Sequence, residues 1–203
     1  MEVDEIVVDE PKVIKIPKHL VYEVIDGKPI PYRGFREVLD GHKTLEDIMG
    51  SSGLQSFIIT DVLLRFLFKH LPDEYAIMSN ELGLHLGKKN NLATDIGIYH
   101  LATFQAKKLS DQYLDTPLLV AIEVDTKADV SQFVNPMDYF HRKTRKLLDF
   151  GVERIIWFTT DSKKVMVATS DQDWIISDWD KTITILPNIE CSLADLLAKR
   201  GIK

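Results

Sequence analysis

The sequence predicts an α/β protein in which helices flank one β-sheet of mixed direction. Residues 53–71, GLQSFIITDVLLRFLFKHL, are too long and apolar for a single strand and predict a core helix. A second predicted helix separates the apolar segment PLLVAIEV from the aromatic segment RIIWF. Short turns join the later strands, which favours antiparallel pairing, whereas a helical connection favours a parallel pair. Together these patterns predict the mixed sheet.

The N-terminal part of the chain contains a hairpin signal. We expect an extended lead-in over residues 1–17 and one domain over residues 18–203, because no internal repeat or flexible linker divides the chain. Asp26-Gly27 stands between two alternating stretches in VYEVIDGKPIPY, which predicts a hairpin. Thr44 can cap a short helix over TLEDIMG, and Pro72 ends the core helix.

Strand patterns dominate the middle of the chain. We expect strands over YAIMS, ELGLHL and TDIGIYH, a turn over GKKNN, a helix over ATFQAKKLSDQYL, and then the strand PLLVAIEV. Asn135 and Pro136 predict the start of the next helix, which we expect to run to Phe150 and stop at Gly151. The segments VERIIWFTT, KVMVATS, WIISDW and TITIL follow as strands, and SLADLLAK as a helix capped by Ser192 and Asp195.

Composition limits the classes of protein that the chain can be. It has 203 residues, 45% of them hydrophobic, and a single cysteine, so its core must form without an internal disulfide. No apolar stretch reaches the roughly 18 residues of a membrane span, and the acidic N-terminus does not resemble a signal peptide. We therefore expect a cytoplasmic protein without a membrane partner.

The net charge of −6 argues against a protein covered in basic residues for nucleic-acid binding, although a local patch remains open. Basic residues cluster at four places: His141-Arg142-Lys143, Arg145-Lys146, Lys107-Lys108 and Lys163-Lys164. Charge alone favours the interpretation of these clusters as a solvated helix face and ordinary turns.

Acidic side chains mark the polar ends of two apolar strands. Asp95 opens DIGIY, and Glu123, Asp125 and Lys127 alternate through AIEVDTK, so the last three share one face. If the two strands are neighbours, the carboxylates can converge on a hard cation such as Mg²⁺. The alternative is that these are ordinary strand ends emerging into water. The single cysteine and the lack of paired histidines argue against a zinc site.

Lys143 occupies an unusual position on the helix after Asn135. At about 100° per residue, it falls within the apolar arc formed by residues such as Tyr139, Leu147 and Phe150. Arg142, Arg145 and Lys146 lie on the opposite side. A lysine on the core side is costly unless its ammonium group extends to solvent or finds a carboxylate. Lys143 is therefore expected either to form a structural ion pair with Glu123 or Asp125 or to belong to a site.

The order of these residues resembles a known family. Asp95, then Glu123 at the end of an apolar strand, then a lysine, is similar to the PD-(D/E)XK nuclease superfamily, and more narrowly to its Uma-type restriction endonuclease family. The segments that carry the resemblance are YEVIDGKPIP, TDIGIY, LLVAIEV, KTRKLLDFGVERIIWF and LPNIECSLADLL. The resemblance implies a restriction-endonuclease-like fold.

The same resemblance implies a metal-dependent DNA endonuclease that hydrolyses phosphodiester bonds. Asp95 and Glu123 would hold Mg²⁺ (or Mn²⁺), Asp125 would join the metal site, and Lys143 would complete the catalytic set with Asp95 and Glu123. The partner would be DNA, bound weakly and in a salt-dependent way, and a homodimer would suit double-strand cleavage. The alternative is a catalytically inactive nuclease fold that serves as a binding or scaffold protein.

The sequence departs from the family pattern at three positions. Thr94 replaces the proline before the aspartate, and Asp125 stands where the superfamily strand carries its lysine. Gln55 stands in a region where the family often has histidine, which leaves its role open. Lys143, eight positions before Gly151, matches the family's helix lysine. We therefore expect Lys143 to complete the site and Lys127 to point into water.

Overall fold

The described residues of this computed structural model are 15–106 and 109–202. Most of the lead-in expected over residues 1–17 therefore lies outside the described residues, as does the Lys107-Lys108 cluster. No helix in the described ranges has the length and apolar character that crossing a membrane requires.

An eight-stranded mixed sheet forms the centre of the fold, in the order β2-β1-β4-β5-β6-β7-β8, with β3 also paired to β4. Its strands are Val21–Ile25 (β1), Lys28–Pro31 (β2), Tyr75–His85 (β3), Asn91–His100 (β4), Val120–Val124 (β5), Arg154–Thr159 (β6), Lys164–Thr169 (β7) and Ile175–Asp178 (β8). β5 and β6 are parallel, while the other pairs are antiparallel. Ile183–Leu186 (β9) and Ile189–Cys191 (β10) form a separate antiparallel pair.

Helices cover both faces of this sheet. They are Phe35–Leu39 (α1), Glu46–Met49 (α2), Gly53–Phe57 (α3), Arg65–His70 (α4), Ala102–Ala106 (α5), Pro136–Phe150 (α6) and Leu193–Ala198 (α7). A π-helical segment, Ile58–Leu64, joins α3 to α4. The predicted core helix over 53–71 is thus confirmed, and it ends at His70, just before Pro72.

Two hydrophobic clusters hold the helices against the sheet. The α3–α4 helix packs Ile58 and Leu63 against one face, where Ile96, Ile122 and other strand residues meet them. On the other face, α6 packs Tyr139 and Leu147 against strand residues that include Ala121 and Trp157. Because side chains alternate along a strand, Glu123 points to the α6 face, as Ala121 does.

The predicted limits of α6 are confirmed. The Asn135 side chain accepts a hydrogen bond from the backbone N–H of Met137, and Pro136 is the first helical residue. Gly151 ends the helix with a φ of 108°, a left-handed conformation that glycine adopts without strain. The Asp26-Gly27 hairpin is confirmed too, with positive φ at both turn residues.

Two elements differ from the sequence-based expectation. YAIMS and ELGLHL form one strand, β3, interrupted by a bulge at Asn80 and Glu81. Of the segment ATFQAKKLSDQYL, expected to be a helix throughout, the structure describes a helix over Ala102–Ala106 (α5). Near the end of the segment, Leu114 pairs with the edge of β3. The Leu114 N–H donates a hydrogen bond to the Gly83 carbonyl, and the Leu114 carbonyl accepts one from the His85 N–H. Backbone pairing along an open strand edge competes with helix formation at this end of the segment.

Candidate active site

The candidate site lies where β4 separates from β5. These strands pair only from Ile96 to Ile98 of β4, whereas the start of β4 lies beside β1. Asp95 stands at the point of separation. We call the cluster of Glu23, Asp95, Glu123 and Lys143 around this point the fork site.

Because β4 and β5 separate here, the backbone of Val124 has no pairing with β4. Two side chains form hydrogen bonds to this backbone instead. Asp95 Oδ2 accepts a hydrogen bond of 2.7 Å from the Val124 N–H. Gln55 Nε2 donates a bond of 2.6 Å to the Val124 carbonyl, and Gln55 is buried. A buried backbone group without a partner is costly, so Asp95 and Gln55 both stabilise the end of β5. This gives Gln55 a structural role that the sequence left open.

Lys143 projects from the sheet-facing side of α6 into the fork site. Its Nζ lies 2.8 Å from Glu23 Oε1 and 3.0 Å from Glu123 Oε1, and its side chain is 0% exposed. The Nζ also lies 5.3 Å from the centre of the Trp157 ring. Lys143 is therefore paired with two carboxylates inside the protein.

Glu23 is a member of the site that the sequence analysis missed. It is buried on β1, where its Oε2 accepts a 2.7 Å hydrogen bond from the Tyr139 hydroxyl. Its Oε1 accepts a 3.1 Å bond from the Ala93 N–H. The available signal was strand alternation, because Glu23 shares a face with the buried Ile25.

The fork site holds more carboxylates than cations. Burial raises the pKa of Glu123 to about 8, against the opposing charge of Lys143. Burial also raises the pKa of Asp95 to about 6, although the Val124 N–H and Lys143 lower it. Burial alone would lower the Lys143 pKa, but Glu123 and Glu23 outweigh it and raise that pKa well above its ordinary value. The excess negative charge favours binding of a proton or another cation.

Asp125 and Lys127 continue the chain beyond β5. Asp125 accepts 2.7 Å hydrogen bonds from both the N–H and the hydroxyl of Thr160, which ties the end of β5 to the end of β6. Lys127 does not point freely into water, so that expectation is wrong. Its side chain is only 12% exposed, because its Nζ pairs with the Glu81 carboxylate.

The carboxylates of the fork site fit a cation such as Mg²⁺, which keeps some of its waters, better than a cation whose ligands all come from the protein. Within the described ranges, no group of three or more His, Cys, Asp or Glu side chains is arranged to hold a metal ion. Asp95 and Glu123 nevertheless lie on the adjacent strands β4 and β5. Burial raises the pKa of Glu123 and the charge of Asp95 adds to this effect, while Glu123 Oε1 lies 3.0 Å from Lys143 Nζ. Mg²⁺ typically takes one or two carboxylates and retains several waters.

Two cavities flank the end of β5. The larger, of about 690 Å³, is lined by residues that include Gln55, Asp125 and Thr160. The smaller, of about 390 Å³, is lined by residues that include Asp95 and Glu81. Lys127 lines both cavities, whereas Glu123 and Lys143 line neither.

Comparison with known proteins supports the fold. No family model matches the chain, and no curated protein matches it. A crystal structure from Anabaena variabilis ATCC 29413 is similar, with a TM-score of 0.64 and 16% sequence identity, over 87% of this chain and 89% of that one. That protein is provisionally described as a nuclease belonging to DUF820. The expected fold class, a mixed α/β sheet flanked by helices, is confirmed.

Proposed function

We propose that this chain is a metal-dependent DNA endonuclease of the Uma-type family in the PD-(D/E)XK superfamily. The observation that carries the proposal is that Asp95 and Glu123 lie on the adjacent strands β4 and β5, close enough for their charges to interact, with Lys143 Nζ 3.0 Å from Glu123. The provisional description of the structurally similar protein as a nuclease supports the same reaction class.

Asp95 and Glu123 are the proposed ligands of Mg²⁺ or Mn²⁺. A divalent cation bound there would polarise a phosphate oxygen and lower the pKa of its bound water. The protein's part is to hold the two carboxylates in place. Asp95 is fixed by the Val124 N–H, and Glu123 by the charge of Lys143. Asp125 remains a candidate third group, although both of its oxygens bond to Thr160.

In this proposal Lys143 acts through its charge on Glu123 and does not contact the substrate. It has no exposed surface, and its charge lowers the pKa of Glu123 against the effect of burial. Lys143 therefore favours the ionised form of Glu123, the form that binds a cation. Glu23 in turn holds Lys143 by its second ion pair.

DNA is the proposed substrate, and basic residues on α6 could contact its phosphates. Arg142 lies over the Phe133 ring, and Lys146 pairs with Asp26 at 2.6 Å. Because few such groups oppose a net charge of −6, DNA binding should be weak and should fall steeply with salt. A homodimer would present two sites to the two strands.

The second candidate function is a nuclease-fold protein that binds a partner without catalysis. Its specific support is the burial of Lys143 and Glu123, which line neither flanking cavity. A reacting phosphate needs direct access to the metal-bound oxygen atoms, and a closed site would deny it.

Plasmid cleavage separates the two candidates. We expect the unaltered protein to nick or cut plasmid DNA with Mg²⁺ or Mn²⁺ and to lose this activity in Asp95→Asn and Glu123→Gln. Lys143→Met should also lose it. Metal binding without any cleavage would favour the inactive candidate, and cleavage retained in both carboxylate variants would contradict the proposed site.

A further inference from the structure

Lys127, unlike Lys143, lines the cavities from which a substrate can approach Asp95. Its side chain is 12% exposed and lies on the wall between the two cavities that flank the end of β5. Lys143, in contrast, is 0% exposed and is enclosed by Glu23 and Glu123. A group that approaches Asp95 through the smaller cavity therefore meets Lys127 and not Lys143.

A strained bulge places the partner of Lys127. β3 and β4 pair at Ser79 with Ile96 and again at Leu82 with Thr94, which leaves Asn80 and Glu81 opposite Asp95. Asn80 and Glu81 have φ values of 73° and 53°. Residues with side chains rarely adopt this conformation, and when they do it is often at a functional site. The bulge brings the Glu81 carboxylate to the Lys127 ammonium.

Arg33 fixes the backbone from which Lys127 projects. Its backbone N–H donates a 2.7 Å hydrogen bond to the Lys127 carbonyl. Its guanidinium donates another of 2.7 Å to the Thr126 carbonyl. Lys127 is therefore held at its backbone by Arg33 and at its Nζ by Glu81. This degree of fixation is more than a solvent-facing lysine at a strand end needs.

We propose that Lys127 contacts the phosphodiester backbone of DNA beside Asp95, and that Glu81 is its positioning residue. This inference rests on the proposed nuclease function. The Lys127 ammonium has three donors, so it can bond a phosphate oxygen while it remains close to Glu81.

Binding of a labelled duplex DNA, followed by fluorescence anisotropy, tests this role. Ca²⁺ replaces Mg²⁺ as a hard cation with oxygen ligands, and gel electrophoresis verifies that the DNA stays intact. Lys127→Met should weaken binding and reduce the slope of log K against log salt by about 0.9, the value expected when one phosphate is no longer neutralised. Lys127→Arg should restore both the affinity and the slope.

Glu81→Gln supplies the decisive comparison. It removes a negative charge beside the phosphate and frees Lys127, so binding should tighten while the salt slope stays the same. If the Lys127–Glu81 pair were only structural, the two variants would instead change DNA binding alike or leave it unaltered. Lys164→Met is the matched control, because Lys164 also pairs with a carboxylate, that of Asp178, but lines neither cavity.

Each outcome has a distinct meaning. If the unaltered protein binds DNA and Lys127→Met keeps its affinity and slope, the inference is overturned and the proposed function stands. If Lys127→Met does not fold, Glu81→Gln decides alone, and unchanged or weaker binding overturns the inference. If the unaltered protein binds no DNA with metal present, the proposed function and this inference are both overturned.

Discussion

Glu23 and Lys143 form a fully buried ion pair, with 2.8 Å between Glu23 Oε1 and Lys143 Nζ. The two residues are far apart in the chain, since one lies on β1 of the N-terminal hairpin and the other on α6. The pair therefore joins the hairpin to the helix across the fork site. Lys143 needs this second carboxylate, because Glu123 is also the proposed metal ligand.

Glu23→Gln should strongly destabilise the fold. Removing one partner of a buried ion pair typically costs about 3–5 kcal/mol, and we expect the lower end because Lys143 keeps Glu123. Urea unfolding measures the change. Glu190→Gln is the control, because Glu190 is exposed and its side chain accepts a hydrogen bond from the Thr184 hydroxyl in a surface hairpin. A loss of stability equal to that of this control would contradict the structural role of Glu23.

Gln55→Leu should reduce the free energy of unfolding by about 1–3 kcal/mol. The substitution keeps similar bulk but leaves the buried Val124 carbonyl without its 2.6 Å hydrogen bond. Gln112→Leu, at an exposed position, provides the control in the same urea experiment. A Gln55 variant as stable as the unaltered protein would show that Val124 does not depend on this side chain.

Stability without metal should fall as pH rises. Glu123 has an ordinary pKa of 4.5 and a folded pKa of about 8, so the folded protein binds more protons than the unfolded chain between these values. The free energy of unfolding therefore decreases as the pH rises from about 4.5 to about 8. Burial raises the pKa of Asp95 from 3.8 to about 6, which also lowers the free energy of unfolding as the pH rises through the lower part of this range.

Thermal unfolding across this pH range measures the effect. Glu123→Gln should flatten the dependence, because glutamine has no proton to exchange. Saturating Mg²⁺ should stabilise the unaltered protein most at the upper end of this pH range, where Asp95 and Glu123 are ionised. Stability that increases through this window in the absence of metal would contradict the raised pKa values.

Local signals in the sequence predicted most of the fold. The Asp26-Gly27 turn and the Asn135 and Gly151 helix limits depend on neighbouring residues only, so they could be predicted without knowledge of the tertiary structure. Lys143 was placed toward the sheet by helical periodicity, and the structure shows it buried there. Each of these features can be predicted from the residues of a single helix or turn.

The contributions of Glu23 and Lys127 depend on contacts between distant elements. Glu23 reaches Lys143 because β1 pairs with the start of β4, a strand pairing that no local pattern specifies. Lys127 is held by Glu81 because β3 has a bulge, and the sequence suggested two separate strands there. Such partners are defined by strand register, and strand register was not predicted.

DNA binding should weaken when Arg142 and Lys146 are both replaced by Gln. Both residues lie on α6, so we expect the salt slope to fall by about 0.9 for each phosphate that is no longer neutralised, with metal affinity unchanged. Fluorescence anisotropy at several salt concentrations provides the measurement. Lys164 and Lys181, which are exposed and paired with aspartates elsewhere, serve as the control pair. Metal affinity that falls with DNA affinity would contradict separate roles for the two regions.

Calorimetric titration with Mg²⁺ or Mn²⁺ tests the central claim, that Asp95 and Glu123 share one divalent cation. We expect the unaltered protein to bind one ion per chain, and Asp95→Asn and Glu123→Gln each to lose that binding while remaining folded by circular dichroism. Asp125→Asn in the same series determines whether Asp125 contributes. The absence of specific binding to the unaltered protein, or unchanged binding in both carboxylate variants, would contradict the account.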